Sequence, residues 1–228
     1  ALGATAKSPR WCVAFKFAAE QGQSTLLSVD WQVGKLGTLT PVANLTPVAL
    51  AGTTVRRATL HNFDNVRRLD LHLGDTVTVE KAGEIIPQIV AVDPGRRPAG
   101  APPIAAPEAC PKCGQPVRQD EDGVYLRCVN PDCHDQVVER LRFFAGRNQM
   151  DITGLGVVLI ERLFEEKLIA SYADIFRLRA HADRIAALVF MQKRSKPTKD
   201  GRTIVPVQFK ETRTSALLKG VDAARQRP

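Results

Sequence analysis

Three features of the sequence predict a multidomain α+β chain: an OB-type β-barrel, then a small four-cysteine zinc module, then an α-helical helix-hairpin-helix domain. Short β-prone runs fill residues 23–95, and four of the five cysteines crowd between Cys110 and Cys133. Beyond His134 the apolar residues recur with the period of a helix rather than a strand. The boundaries that follow are 23–95 for the barrel, 96–107 for a linker, 108–134 for the zinc module and 135–228 for the helical domain. The last is partial, and divergent after about residue 188.

Trp11 to Phe17 is a short β-prone run. From Thr25 the pattern alternates, with Leu27, Val29, Trp31 and Val33 on one face and Ser28, Asp30 and Gln32 on the other, as in a half-buried strand. Gly34-Lys35-Leu36-Gly37 turns the chain. Thr38 to Val48 is β-prone but interrupted by Pro41 and Pro47, which confine it to an edge or irregular strand. Asn62 or Asp64 can cap a short helix through Leu69. Gly74-Asp75 then turns into Thr76 to Glu80, and Ile85 to Val92 closes the region. Several short strands with one helix inserted late suit a small Greek-key barrel of the OB type, other small barrels remaining open.

Residues 94–107 are rich in proline, alanine and glycine and read as a linker. Past the cysteines, Val137, Leu141 and Phe144 share one face of a helix opening near His134. Ile160, Leu163, Phe164 and Leu168 share the face of another. Between them, Met150-Asp151-Ile152-Thr153-Gly154-Leu155-Gly156 is too glycine-rich for a helix interior. The polar, basic stretch 193–202 reads as a mobile loop, and a last short helix is expected over Thr214 to Arg225.

The strongest chemical signal is Cys110-Pro111-Lys112-Cys113, fourteen residues, then Cys128-Val129-Asn130-Pro131-Asp132-Cys133. Zinc takes four thiolates tetrahedrally, and two cysteine pairs on turns meet that need, with no position left for a catalytic water. Cys110, Cys113, Cys128 and Cys133 are therefore the expected ligands of a structural zinc. His134, next to the fourth thiolate, starts a helix instead. Removing the metal should unfold Cys110 through roughly Phe144 and spare the barrel. Cys12 reads as a small buried hydrophobe.

Gly154 and Gly156 between two amphipathic helices permit a tight turn whose backbone N–H groups suit a phosphate oxygen, although a simple helix connection has the same composition. Arg56-Arg57 and Arg67-Arg68 flank the barrel helix and are weighed equally as phosphate contacts and as solvated surface. Trp31 and Phe63 fit core packing better than base stacking. No Ser/His/Asp or hydrolase-metal spacing occurs among the four histidines.

A net charge of +8 makes a polyanionic partner a fair expectation. No apolar run is long enough for a membrane helix, no signal peptide opens the chain, and paired cysteines favour a reducing compartment, so a cytoplasmic protein is expected. The start at Ala1, without methionine and just ahead of a β-prone run, points to an engineered excerpt or a truncated reading frame.

Several stretches, in order and separation up to about Leu178, closely resemble bacterial NAD-dependent DNA ligases. They are Pro9-Arg10-Trp11-Cys12-Val13-Ala14-Phe15-Lys16-Phe17, Trp31-Gln32-Val33-Gly34-Lys35-Leu36-Gly37 and Thr40-Pro41-Val42-Ala43. Ala58-Thr59-Leu60-His61-Asn62, Lys81-Ala82-Gly83-Glu84-Ile85-Ile86-Pro87-Gln88, the four cysteines and Met150 to Gly156 continue the series. The resemblance implies that residues 1–22 end a nucleotidyltransferase (adenylation) domain. It also implies an enzyme that seals nicks in duplex DNA through enzyme-adenylate and DNA-adenylate intermediates, in replication and repair, with NAD as adenylate donor and magnesium.

On that resemblance Lys16 and Arg10 contact the nucleotide, Lys35 stands where the family has an arginine on the DNA backbone, and Gly154 and Gly156 match the first hairpin. Arg56 and Arg57 join the expected DNA contacts. The family's nucleophilic lysine lies in a Lys-x-Asp-Gly motif upstream of the residue matching Lys16, and hence ahead of Ala1. Thr198-Lys199-Asp200-Gly201 is one position out of register for it. The expected catalytic set of this chain is therefore empty, the fragment alone inactive, and its partner nicked double-stranded DNA, bound as a monomer away from membranes. Leu36 replaces a usual threonine, and Phe190 to Phe209 look inserted where a second hairpin is expected. The competing reading is a noncatalytic nucleic-acid adaptor derived from a ligase; a zinc-ribbon and OB protein of transcription or translation leaves Trp11 to Lys16 unexplained.

Overall fold

The computed structural model describes residues 2–5, 8–13, 19–82, 85–121, 123–193 and 203–227. They form two compact units, residues 1–31 with 40–106, and residues 32–39 with 107–228.

In the first unit five strands, β1 (Gln21–Val33), β2 (Thr38–Leu50), β3 (Thr53–Thr59), β4 (Thr76–Ala82) and β5 (Ile86–Asp93), close a barrel. β1 pairs with β2 and β4, β2 with β3, β4 with β5, and the circle closes where β3 meets β5 in parallel. That order, with helix α1 (Phe63–Arg68) between β3 and β4, is the OB arrangement. Leu26, Leu45, Leu50, Leu60, Val66, Val77, Val79 and Ile89 fill its interior.

The alternation in β1 departs from the sequence expectation at one point. Leu26 is fully buried whereas Leu27 is 57% exposed. Leu27 and Ser28 both face out, so the inward phase shifts by one residue before Val29, Trp31 and Val33 resume it. In β2 the pairing with β3 slips between Asn44 and Val48, around Pro47, the irregularity that a residue without an N–H imposes. Asn62 caps α1, its side chain accepting from the Asn65 N–H at 2.9 Å.

The stretch read as a linker lies on the barrel. The Leu73 N–H donates to Pro102 O and the Ile104 N–H to Leu71 O, at 3.0 and 2.9 Å. Arg97 reaches back to the fully buried Asp75, with Nε 2.9 Å from Oδ1, and to Asp70 at 2.8 Å. Asp75 also accepts from the His72 N–H at 2.8 Å. A composition poor in large apolar groups conceals this anchoring, which is made by the guanidinium groups of Arg96 and Arg97, by backbone and by Ile104 packed on the barrel core. The β-prone run at Trp11 is not a strand over its described part, Trp11 to Val13, and residues 14–18 lie outside the described residues.

In the second unit, β6 (Val117–Gln119) and β7 (Leu126–Cys128) form a small antiparallel ribbon whose β7 also pairs with Thr38 and Leu39. Helices α2 (His134–Ala145), α3 (Val157–Glu165), α4 (Tyr172–Ile175) and α5 (Ala182–Ala187) follow. β8 (Val189–Lys193) and β9 (Ile204–Gln208) make a hairpin, and α6 (Lys210–Arg225) ends the description. Leu141, Ile160, Leu163, Ile169, Ile175, Leu178, Ile185, Leu217 and Val221 form one core.

α4 is held by a reciprocal cap between Ser171 and Asp174, and the Ser171 hydroxyl holds the Asp174 carboxyl below the usual carboxylate range. α6 starts four residues before Thr214, and β8 and β9 occupy the divergent region, where sequence periodicity gives no strand signal. Gly220 of α6 lies against the Thr153 peptide: a Cβ there would stand 2.4 Å from the Thr153 carbonyl oxygen.

Candidate metal centre and cationic surface

Two tight turns bring the four cysteines together. The Gly114 N–H donates to Cys110 O, and the Cys110 N–H to Gln115 O, folding the first pair into a knuckle. Cys128 ends β7, and Cys133 occupies the N-cap position of α2. Their sulfurs lie within 4.8 Å of one another, with Cys113 and Cys128 3.5 Å apart and Cys110 and Cys133 3.9 Å apart. Four thiolates at tetrahedral zinc stand about 3.8 Å apart, given a Zn–S bond of about 2.3 Å. The donor set therefore fits zinc without rearrangement.

Backbone donation by the Gln115 N–H draws the Cys113 thiol down to about 7. Burial pushes the Cys133 thiol up to about 12 and raises Cys128 as well. Thiols crowded out of water resist ionising side by side, and a divalent cation among them reverses that balance. His134 is no ligand: its ring packs edge-on against Phe164 and its Nδ1 lies 3.0 Å from Asp135.

The 32–39 segment docks onto this module. The Cys128 N–H donates to Gly37 O at 2.9 Å, and Gln136 Nε2 donates to the carbonyls of Cys128 and Asn130. Arg127 donates to Thr38 Oγ1 at 2.8 Å and to Asp120 at 2.7 Å, and this partner holds the Asp120 carboxyl below its ordinary range. Gly37 has a positive φ of 79°, and a Cβ on it would stand 2.6 Å from the Cys128 carbonyl oxygen. Gly37→Ala combines a disfavoured φ with a backbone clash, and a loss of about 2 kcal/mol is expected. Urea unfolding of the variant, followed by a midpoint shift at unchanged m, measures it; an unshifted midpoint contradicts the tight dock.

Next to this dock, Lys35 Nζ sits 3.1 Å from the centroid of the Phe143 ring. Lys35 shares with Glu139, Arg142, Arg147, Asn148 and Gln149 the wall of an open cup of about 410 Å³. Glu139 pairs with Arg142 at 3.0 Å, while Lys35 and the exposed Arg147 have no carboxylate partner among the described residues. The other expected contacts lie elsewhere. Arg56 and Arg57 are exposed on β3 in the barrel unit, with Arg57 3.6 Å from Asp30. Gly154 and Gly156 stand in the turn before α3, with φ of 88° at Gly154 and Gly156 as N-cap.

Arg10 is exposed, and Lys16 lies outside the described residues. Cys12 is exposed rather than buried, which corrects its reading as a core hydrophobe. Sequence reasoning missed Phe143, Arg142 and Arg147. The available signal was a large aromatic at a helix position off the buried stripe of Val137, Val138 and Leu141, followed closely by cations.

Two family models match the chain: the NAD-dependent DNA ligase OB-fold domain over residues 23–101, and the NAD-dependent DNA ligase C4 zinc finger domain over residues 109–134. The chain is 44% identical over 226 residues to a DNA ligase of Rhodopirellula baltica, covering 99% of this chain and 31% of that protein. An alignment of that extent takes in β8 and β9. A DNA ligase of Prosthecochloris aestuarii is 50% identical over 190 residues, and one of Desulfosudis oleivorans 49% over 178 residues. They are matched over 81% and 78% of this chain and over 28% and 26% of their own lengths. The chain thus spans under a third of the length of these relatives.

Proposed function

Because the chain is a segment belonging to the bacterial NAD-dependent DNA ligase family, we propose that it is the DNA-holding portion of an enzyme that seals nicks in duplex DNA. The enzyme would act through enzyme-adenylate and DNA-adenylate intermediates, in replication and repair, with NAD as the adenylate donor and magnesium assisting. The observation that carries the reading is the cationic cup, in which Lys35 is fixed over Phe143 beside Arg142 and Arg147. A cation pinned by an aromatic face and lacking a carboxylate partner is ready for a phosphate without first breaking an ion pair.

Arg56 and Arg57 on the barrel would add backbone contacts. The turn through Gly154 and Gly156 would act as the first hairpin of a helix-hairpin-helix domain, offering backbone N–H groups to one phosphate oxygen. Lys16 and Arg10 would meet the nucleotide of the adenylation half, where a fixed cation beside the AMP phosphate offsets charge developing in transfer. None of these contacts reads a base edge, so binding is indifferent to sequence. The zinc keeps the cysteine module folded, and the working protein is a cytoplasmic monomer.

Fluorescence anisotropy with a labelled nicked duplex tests the reading. If about four phosphates are neutralised, log K falls with log salt concentration at a slope of about −3.6, for any duplex sequence. No binding at low salt, or binding confined to one sequence, overturns it. The 228 residues contain no Lys-x-Asp-Gly. NAD labelled in its adenylate is accordingly expected to leave no label on this chain by itself, and label retained through denaturation contradicts that expectation.

A further inference from the structure

The β8–β9 hairpin is absorbed neither by the barrel nor by the metal centre, and one of its two edges is open. The Phe209 N–H donates to Leu188 O at 2.7 Å, which makes these two residues a hydrogen-bonded pair. In an antiparallel ladder such pairs alternate, so Phe190 with Val207 and Gln192 with Val205 continue the series. The N–H and C=O groups of Met191 and Lys193 therefore point away from β9, and they have no backbone partner among the described residues. On the other edge the residue opposite Met191 is Pro206, which has no N–H to offer outward. β9 is blunted and β8 is not. Phe190 and Phe209, with ring centroids 5.8 Å apart, pack against the helical core and hold the base of the hairpin in place.

A groove of about 570 Å³ runs beside β8, lined by the four consecutive residues Phe190 to Lys193 but by Val207 alone from β9. Val158, at the start of α3, faces it from the other side; it is 61% exposed and Met191 is 68% exposed. Lys193 and Arg213 also line it, both exposed and neither with an ion-pair partner among the described residues. Outward N–H and C=O groups in alternation are matched in full only by another extended polypeptide; phosphate oxygens accept from the amides and leave the carbonyls unmet. The apolar side chains suit apolar residues of that polypeptide, and the two cations suit carboxylates. We propose that β8 takes up, as a third strand of this sheet, an extended segment of a partner protein in which apolar residues alternate with acidic ones. A second copy of this chain would bring like charges together at the rim, which favours the acidic partner over self-pairing.

Fluorescence anisotropy of the whole chain with a labelled synthetic peptide of alternating valine and aspartate tests it. Saturable binding is expected, about tenfold tighter than for the same peptide with lysine in place of aspartate. Met191→Pro removes one outward N–H and keeps the bonds to β9, so the aspartate peptide binds that variant about tenfold more weakly. Lys193→Glu combined with Arg213→Glu reverses the preference between the two peptides. Circular dichroism and melting of these variants match the parent chain. Methylating alternate amide nitrogens of the peptide repeats the backbone test on an unaltered chain, and the same loss is expected. No binding of the aspartate peptide, equal binding of both peptides, or full affinity for the methylated peptide overturns the proposal. So does a dimer of the chain that Met191→Pro disperses, which assigns the edge to a second copy. Nicked duplex that loses affinity on the double charge reversal, while neither peptide binds, assigns the groove to DNA and overturns it equally. The duplex-binding reading stands or falls on its own salt titration.

Discussion

Chelation of zinc is expected to unfold Cys110 to Cys133 and to leave both the barrel and the helical core intact. The module has almost no apolar interior of its own: besides the cysteines, Leu126 is its buried hydrophobe. Structural zinc in peptide modules contributes about 10–16 kcal/mol of apparent binding free energy, far more than a segment this short gains from burial. The sequence reading extends the loss to Phe144. The structure moves that limit back to the start of α2, because Val137, Val138, Leu141 and Ala145 pack into the helical core and hold the helix without the metal. Hydrogen exchange with and without chelator checks this. Protection at the amides of Cys110, Gly114 and Cys128 should collapse, while that of Leu141 persists; metal-free protein that keeps its knuckle amides protected contradicts it.

Asp75→Ala is expected to cost about 3 kcal/mol and to lower the melting temperature of the barrel by about 15 °C. Asp75 is wholly buried and accepts from the His72 N–H, Arg97 Nε and Arg97 Nη2. Truncation leaves the amide with no acceptor and deprives a largely buried guanidinium of the buried one of its two carboxylate partners. Arg97 keeps Asp70, which sets the loss at the low end of the range for broken buried pairs. Asp75→Asn keeps the shape and one acceptor oxygen, so about half the effect is expected. A melting point for Asp75→Ala within 3 °C or so of the parent's contradicts the anchoring role.

Much of this was legible in the residues. Cysteine spacing predicts a four-sulfur cluster because zinc geometry tolerates few other arrangements, and of the two cap candidates Asn62 and Asp64 the fold uses Asn62, whose side chain replaces a missing backbone acceptor. Leu27 misled because alternation alone does not reveal a one-residue slip, which depends on how the neighbouring strands pair. The run 94–107 looked like a tether because its anchors are two arginines, backbone groups and the lone large apolar residue Ile104, which composition does not distinguish from a solvated stretch. Lys35 was named from resemblance, but its partner Phe143 lies more than a hundred positions away in the chain, and only the fold brings them together. The hairpin of β8 and β9 escaped because Pro206 and the exposed Met191 and Ile204 carry no clean two-residue period.

The seat of Gly220 on the Thr153 carbonyl ties the shape of an early turn to the last helix. A shortened product stopping at Gln208 would keep every atom of the segment from Ile152 to Gly156 yet lose the wall it is pressed against. Any trimmed version intended to retain this turn must therefore run through α6, and a protease that clips ahead of Lys210 and releases that helix would disarm the turn from a distance, without touching it.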